Sequence, residues 1–261
     1  MITPILCIGQ SDSSAGTGVQ ADIKTAHALG GYAASVITAV TAQTCADMYQ
    51  IQPLPPILVR NQIDCVMDEL NPKVIKTGTL VDTAIIDTIG DFLDEVNEGY
   101  DHIKVIIDPV MTHQNGEKFL NKEGRDALKR RLLIHADILM PNIVEAEELT
   151  GMEIKDVETA CHAAEILHTL GAKNVILKCG LLPTPENYDI VSTDGDMHVL
   201  QSKRIQAKST HGAGSTLATT IATYVAGGKS ALDSFKLARD YLNKLLENPA
   251  QVGATYIALD H

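Results

Sequence analysis

With 261 residues, 45% of them hydrophobic, the chain can bury one large α/β core, and a second domain is not required. Aromatic residues make up only 4% and Trp is absent, so that core must be built from Val, Ile, Leu and Ala. A formal charge of −12 with no Lys/Arg run excludes the footprint of a nucleic-acid binder, while a local basic site for a phosphate stays open.

Along the chain, short apolar runs alternate with longer amphipathic stretches. Ile5–Ile8, Ser35–Val40, Val74–Lys76, Val105–Ile107, Ile138–Met140 and Val175–Leu177 read as buried strands. Apolar residues three and four apart mark helices between them: Val19, Ile23 and Ala26; Ile85, Ile89, Phe92 and Val96; Ala160, Ala163, Leu167 and Leu170; Leu217, Ile221 and Val225; Phe235, Ala238, Leu242 and Leu245. This alternation implies an α/β fold with a mainly parallel sheet and helices on both faces. Tyr188–Ser192 and Met197–Leu200, around the Asp-Gly turn in Thr193–Asp196, read as a β-hairpin, either a flap or an edge of the sheet. With no repeat, linker or low-complexity segment, residues 1–261 are expected to form a single domain. The N-terminal MITPILCIGQSD lacks a basic n-region, no apolar run has transmembrane length, and the odd set of Cys7, Cys45, Cys65, Cys161 and Cys179 shows no metal-ligand spacing. The expectation is a cytoplasmic protein with reduced thiols and no membrane partner.

In such a sheet, ligands bind beyond the carboxyl ends of the strands, and three loops stand there. Gly9–Gly18 (GQSDSSAGTG) is rich in small residues, but it is neither a Walker A loop nor a full G-x-G-x-x-G; a tight strand-to-helix turn and a binding loop fit it equally. Asp22 is expected in the first turn of the helix that follows. It either complements the helix dipole or accepts a hydrogen bond from a substrate amino or hydroxyl group. In Pro141–Glu148 (PNIVEAEE), Asn142 and Glu145 have the spacing of a capping box, which the pattern favours; the functional alternative is a pair that holds a hydrated Mg²⁺ near phosphates. In Ser209–Leu217 (STHGAGSTL), Gly212 and Gly214 let backbone N–H groups turn inward at the start of a helix, which makes a site for a phosphate or a developing anion. His113, in MTHQNG, is expected on an exposed loop and inert, and His211 is expected to serve through its backbone. Cys45 and Cys179 lie near these loops without a visible activating partner.

Taken together, Ser11–Lys24 (SDSSAGTGVQADIK), Val36–Gln43 (VITAVTAQ), Lys76–Leu80 (KTGTL), Asp108–Met111 (DPVM), Pro141–Ala146 (PNIVEA), Lys178–Gly180 (KCG) and Thr210–Leu217 (THGAGSTL) resemble the hydroxymethylpyrimidine/phosphomethylpyrimidine kinase family of the ribokinase-like superfamily. The resemblance runs through nearly the whole chain. It implies a three-layer α/β/α ribokinase-like fold, with room for a small β-flap. It also implies ATP-dependent phosphorylation of 4-amino-5-hydroxymethyl-2-methylpyrimidine and then of its monophosphate in thiamine biosynthesis. By this resemblance Asp22 and Gln43 hydrogen-bond the aminopyrimidine, with Gln10 and Thr79 beside it. Asn142 and Glu145 organise Mg-ATP, Glu145 acting on Mg²⁺ through water. Lys178 and Thr210 meet the nucleotide, and Gly212, Ala213, Gly214 and Ser215 form the anion hole. The implied partners are a hydroxymethyl heterocycle, ATP and a second copy of the chain as a homodimer.

Four positions depart from the family pattern. Ser215 replaces the usual Cys, or the Asp of more distant sugar kinases, and a serine hydroxyl is a poor base. Gln10 stands for Gly, Thr79 for Met, and Leu181 follows KCG where the family often has KGGH. These changes keep two alternatives in view: a pyridoxal or pyridoxine kinase, motivated by Gln10 and Thr79, and a non-catalytic binding protein that keeps the kinase fold, motivated by Ser215.

Overall fold

The computed structural model describes residues 2–100, 102–113, 115–254 and 256–261. The first strand, β1 (Pro4–Asp12), shows why its sequence is apolar without a break. Ile5 and Cys7 face one side of the sheet, where Val74, Ile106, Ile138 and Ile176 are buried; Leu6 and Ile8 face the other, with Ile75, Val105, Ile107, Leu139 and Val175. A strand buried on both faces needs apolar residues at successive positions rather than at every second one.

The sheet comprises β1, β2 (Tyr32–Gln43), β3 (Met48–Pro53), β4 (Val74–Thr77), β5 (Lys104–Ile107), β6 (Ile138–Leu139), β7 (Val175–Lys178), β8 (Asn187–Thr193) and β9 (Asp196–Ser202), in the order β3-β2-β1-β4-β5-β6-β7-β8-β9. The pairs from β2 through β7 are parallel. The antiparallel pairs lie at the two ends, where β3 folds back on β2 as a small flap and β8–β9 form the hairpin expected from the sequence. Of the two readings left open for that hairpin, it is the sheet edge. Its turn has Asp194 at φ 53° and Gly195 at φ 85°, the pair of positive angles that matches the twist of a two-residue hairpin.

Helices cover both faces. On one lie α1 (Gly18–Ala28), α7 (Ala213–Ala226) and α8 (Ala231–Glu247), packed through Ala26, Leu217, Ile221, Phe235 and Ala238. On the other lie α2 (Pro56–Leu70), α3 (Thr83–Gly99), α4 (Lys122–Arg131), α5 (Ile143–Thr150) and α6 (Val157–Thr169). No helix among the described residues is long and apolar enough to cross a membrane. A two-stranded antiparallel ribbon, β10 (Ala250–Val252) and β11 (Tyr256–Ala258), sets Tyr256 against His211 and beside Gly16, in the turns that lead into α7 and α1.

Candidate active site

The carboxyl ends of β1, β4, β5, β6 and β7 lie along one edge, laced by main-chain bonds from Gly78 to Ile8, Asp108 to Thr77, Met140 to Ile107 and Lys178 to Pro141. All three glycine- or asparagine-bearing loops open on this edge.

The turn before α7 is shaped by Gly212, its N-cap, at φ 86°. A Cβ at Gly212 would stand 2.0 Å from the Gly16 carbonyl oxygen, so only glycine lets the two loops meet. The Ala213 N–H donates to the Thr210 carbonyl at 3.0 Å, and the Thr216 N–H to that of Gly212 at 2.9 Å. No side chain caps the helix. Gly214 and Ser215 are thus left as the N–H groups of the first turn with no acceptor among the described residues. Gly214 is exposed, and an added Cβ there would meet nothing within 4 Å. Within the anion site expected over Gly212–Ser215, the Ala213 N–H is committed to closing the turn, to which exposed Thr210 contributes its carbonyl, while the N–H groups of Gly212, Gly214 and Ser215 have no acceptor among the described residues. Ser215 is half-buried, with no side-chain hydrogen bond among the described residues.

The first loop is organised from within by Asp12. Its carboxylate accepts from the N–H groups of Ser14 (2.7 Å), Gly16 (3.0 Å) and Thr17 (2.8 Å) and from the hydroxyls of Ser14 and Thr17. Burial on its own would raise this carboxyl, but the adjacent His211 ring and these bonds together hold it well below the ordinary carboxylate range. His211 lies with Nε2 at 3.7 Å from Asp12, too far for a hydrogen bond, and its ring meets Tyr256 edge-on, so it packs the turn against the first loop. Sequence reasoning missed Asp12; its signal was an Asp preceding Ser, Gly and Thr in a turn.

Asp22 corrects an expectation. Helix α1 begins at Gly18, which puts Asp22 beyond the first turn and on the buried face with Val19, Ala21, Thr25 and Ala26. Its carboxylate oxygens receive Lys76 Nζ at 2.9 and 3.0 Å and the Thr219 hydroxyl at 2.6 Å, and the residue is 0% exposed. Burial alone would lower Lys76, but the adjacent carboxylate keeps its ammonium above the usual value. Asp22 is thus closed to a ligand in this arrangement and ties β4 to α1 and α7 through a buried ion pair.

The other acceptor-side residues sit around the first loop. Gln43 is buried; it donates from Nε2 to Thr17 Oγ1 at 3.2 Å, and its Oε1 is buried without a partner. Gln10 stands between Gly9 and Ser11, where the β1–β2 register shifts, and its Oε1 is likewise buried and unpartnered. Thr79 is buried, with its carbonyl accepting from the Thr38 hydroxyl at 2.7 Å. Unpaired buried amide oxygens are costly in a finished fold and are expected where a ligand supplies the donors.

On the far side, Lys178 at the end of β7 reaches Asp108, just past β5, at 2.8 Å. Asn142 and Glu145 make the reciprocal capping box of α5: Asn142 Oδ1 accepts from the Glu145 N–H at 2.9 Å, and Glu145 Oε2 accepts from the Asn142 N–H at 2.8 Å. Glu145 also accepts from the Met111 backbone, and its burial pushes its carboxyl up to about 7 against the pull of Lys178. Asp108 was visible in DPVM only as a landmark, not as the counter-ion of Lys178. Among the described residues no three His, Cys, Asp or Glu side chains are grouped to cage a metal. His113 is also corrected: it is buried, stacks edge-on against Phe119 at 5.9 Å and bonds from its N–H to the Glu117 carbonyl. Cys179 is buried, and burial pushes its thiol up to about 12, which makes it inert.

A family model described as phosphomethylpyrimidine kinase matches residues 12–260. The chain is 38% identical over 98% of its length to the thiamine biosynthesis bifunctional protein ThiED of Geobacter sulfurreducens, of which it spans about half, 52%. It is 36% identical over 98% of its length to the hydroxymethylpyrimidine/phosphomethylpyrimidine kinase of Bacillus subtilis and covers 93% of that protein. Among solved structures, phosphomethylpyrimidine kinase from Clostridium difficile matches 93% of this chain and 98% of its own, with 33% identity and a TM-score of 0.82. The pyridoxal kinase of Staphylococcus aureus in complex with AMP-PCP and pyridoxal matches 100% of this chain and 94% of its own, with 30% identity and a TM-score of 0.88.

Proposed function

Because the chain belongs to the phosphomethylpyrimidine kinase family, we propose that it transfers the γ-phosphoryl group of ATP to 4-amino-5-hydroxymethyl-2-methylpyrimidine and to its monophosphate, as a single kinase domain over residues 1–261. One observation carries the reading: two unpartnered N–H groups, of Gly214 and Ser215, start α7 on the same sheet edge as the Lys178–Asp108 pair. Phosphoryl transfer asks a protein mainly to position its reactants and to stabilise spread negative charge. Fixed N–H donors do this without reorganising. Lys178 is placed to meet phosphate oxygens once it exchanges part of its contact with Asp108, and Asn142 and Thr210 border the same opening. The unpaired Oε1 atoms of Gln10 and Gln43 are acceptors suited to the exocyclic amine of an aminopyrimidine.

Mg²⁺ prefers oxygen ligands and keeps several waters. Asp108 and Glu145 offer carboxylates without a three-ligand cage, which suits an ion held chiefly by nucleotide oxygens and water. Bound there, it would neutralise phosphate charge, while Asp108 and Lys178 fix the geometry around it. Ser215 contributes its N–H; its hydroxyl serves at most as a relay for the substrate proton. We place the enzyme in the cytoplasm as a homodimer, a state to be read by analytical ultracentrifugation.

The test is nucleotide turnover in the presence of the pyrimidine and Mg²⁺. ADP release dependent on all three components supports the assignment, and a folded, nucleotide-binding protein with no turnover refutes it. The likeness to a pyridoxal kinase, together with Gln10 and Thr79, keeps pyridoxal as a second acceptor. Competition between the two substrates separates them, and a large preference for pyridoxal would replace the first reading.

A further inference from the structure

Arg204 lies in the irregular segment between β9 and the turn at Thr210, and its guanidinium is spent on main-chain carbonyls. Nη1 donates to Gly180 at 2.7 Å, Nη2 to Leu182 at 2.9 Å and to Glu186 at 3.4 Å, and Nε to Thr184 at 3.3 Å. These four carbonyls come from alternate residues of one loop, the loop that leaves Lys178. No carboxylate pairs with Arg204 among the described residues. A planar fork with five donors can gather several carbonyls at once; a lysine ammonium cannot reproduce that geometry.

The loop is tied at two further points. The Cys179 N–H donates to Asp189 Oδ1 at 3.1 Å, and Asp189 in turn pairs with Arg239 of α8. Leu182, whose carbonyl Arg204 takes, buries its side chain in the core. Lys178 therefore stands between a strand and a loop whose path depends on Arg204. The same residue joins that loop to the segment leading into Thr210–Ser215.

We propose that Arg204 is a positioning residue for the nucleotide: it clamps the Gly180–Glu186 loop to the segment preceding the anion turn and so fixes the Lys178 ammonium relative to the Gly214 and Ser215 N–H groups. The proposal rests on the kinase reading above. It places the effect on one substrate only, because the carbonyls clamped are on the Lys178 side and none belongs to β1 or β2, which carry Gln10 and Gln43.

The experiment compares wild type with Arg204→Ala and Arg204→Lys. ADP affinity is measured by calorimetry, and KM is measured separately for ATP and for the pyrimidine. Arg60→Ala, which removes a surface ion pair with Glu95 on the α2–α3 face, serves as a control for loss of a charged pair. The expected result is ADP binding weakened and KM for ATP raised by roughly tenfold or more in Arg204→Ala, with KM for the pyrimidine unchanged and little rescue by lysine. Equal ADP affinity in folded Arg204→Ala overturns the clamp and leaves the kinase reading standing, as does an equal rise in both KM values. Should Arg204→Ala not fold, Arg204→Lys carries the same comparison: the clamp predicts a selective rise in KM for ATP, and wild-type values overturn it. A wild-type chain that binds no nucleotide overturns the kinase reading and the clamp together.

Discussion

Gly214 separates stability from activity at a single position. Its φ is ordinary and the space around an added Cβ is empty, so Gly214→Ala should leave the fold intact and favour the helix by up to about 1 kcal/mol. The methyl would occupy the place proposed for the phosphoryl group, and kcat/KM should fall by roughly a hundredfold, the scale of losing one fixed donor. Thermal unfolding and initial rates on one preparation check both halves. Gly212→Ala is the converse: it must hold a positive φ and clash with the Gly16 carbonyl, and should cost more than about 2 kcal/mol in urea denaturation. At Ser215, alanine should retain activity within roughly tenfold; a loss of about 10² or more would make the hydroxyl a working base. Glycine roles were legible because glycines in a turn before a helix mean backbone. Asp22 was not, because sequence shows an acidic residue one helical turn past a loop but not the lysine, fifty-four positions away, that closes over it.

Helix α5 illustrates how an element's end can set pH behaviour. Its capping box was readable from Asn142 and Glu145, a spacing of three, but the burial of Glu145 was not, since burial comes from neighbouring β5 and β7 loops. Glu145 carries a carboxyl raised from 4.5 to about 7, so the folded state favours its protonated form. That contribution is complete below about 4.5 and is lost as pH rises through about 7. Stability measured by urea titration from pH 4.5 to 7.5 should therefore fall across this window in wild type, and the fall should shrink in Glu145→Gln. An unchanged slope would show that Glu145 ionises freely. The strands were readable as apolar runs, while β3 was missed: it is an edge strand with an exposed Tyr49, and half its residues face solvent. The α8 helix was plain from Phe235, Ala238, Leu242 and Leu245, all buried.

The molecule as a whole rests on one sheet with charged pairs threaded through it. The Asp22–Lys76 pair crosses from α1 to β4 with Thr219 of α7 beside it. Asp22→Asn should destabilise the protein by about 3–5 kcal/mol by leaving Lys76 buried and uncompensated, and Asp22→Leu with Lys76→Met should recover most of the loss. Saturating ADP at about a hundred times its Kd should add about 2.7 kcal/mol. If residues 1–261 unfold as one unit, probes on α3 and on α8 should shift together. Strand order could not be read from sequence, because neighbouring runs such as Ile138–Met140 and Val175–Leu177 look alike whichever strand they join; right-handed crossovers narrow the choices without deciding them.

The sheet order also sets a schedule during synthesis. Within this domain β1 is made before the strands that flank it yet ends inside the sheet, with β2 and then β4 arriving on its two sides, so the framework can grow outward from it. The Gly16 carbonyl, by contrast, must wait almost two hundred residues for Gly212 to reach it. A nascent chain halted before α7 would hold much of the scaffold and none of the anion turn: it would present a loop shaped by Asp12 with nothing yet to close against.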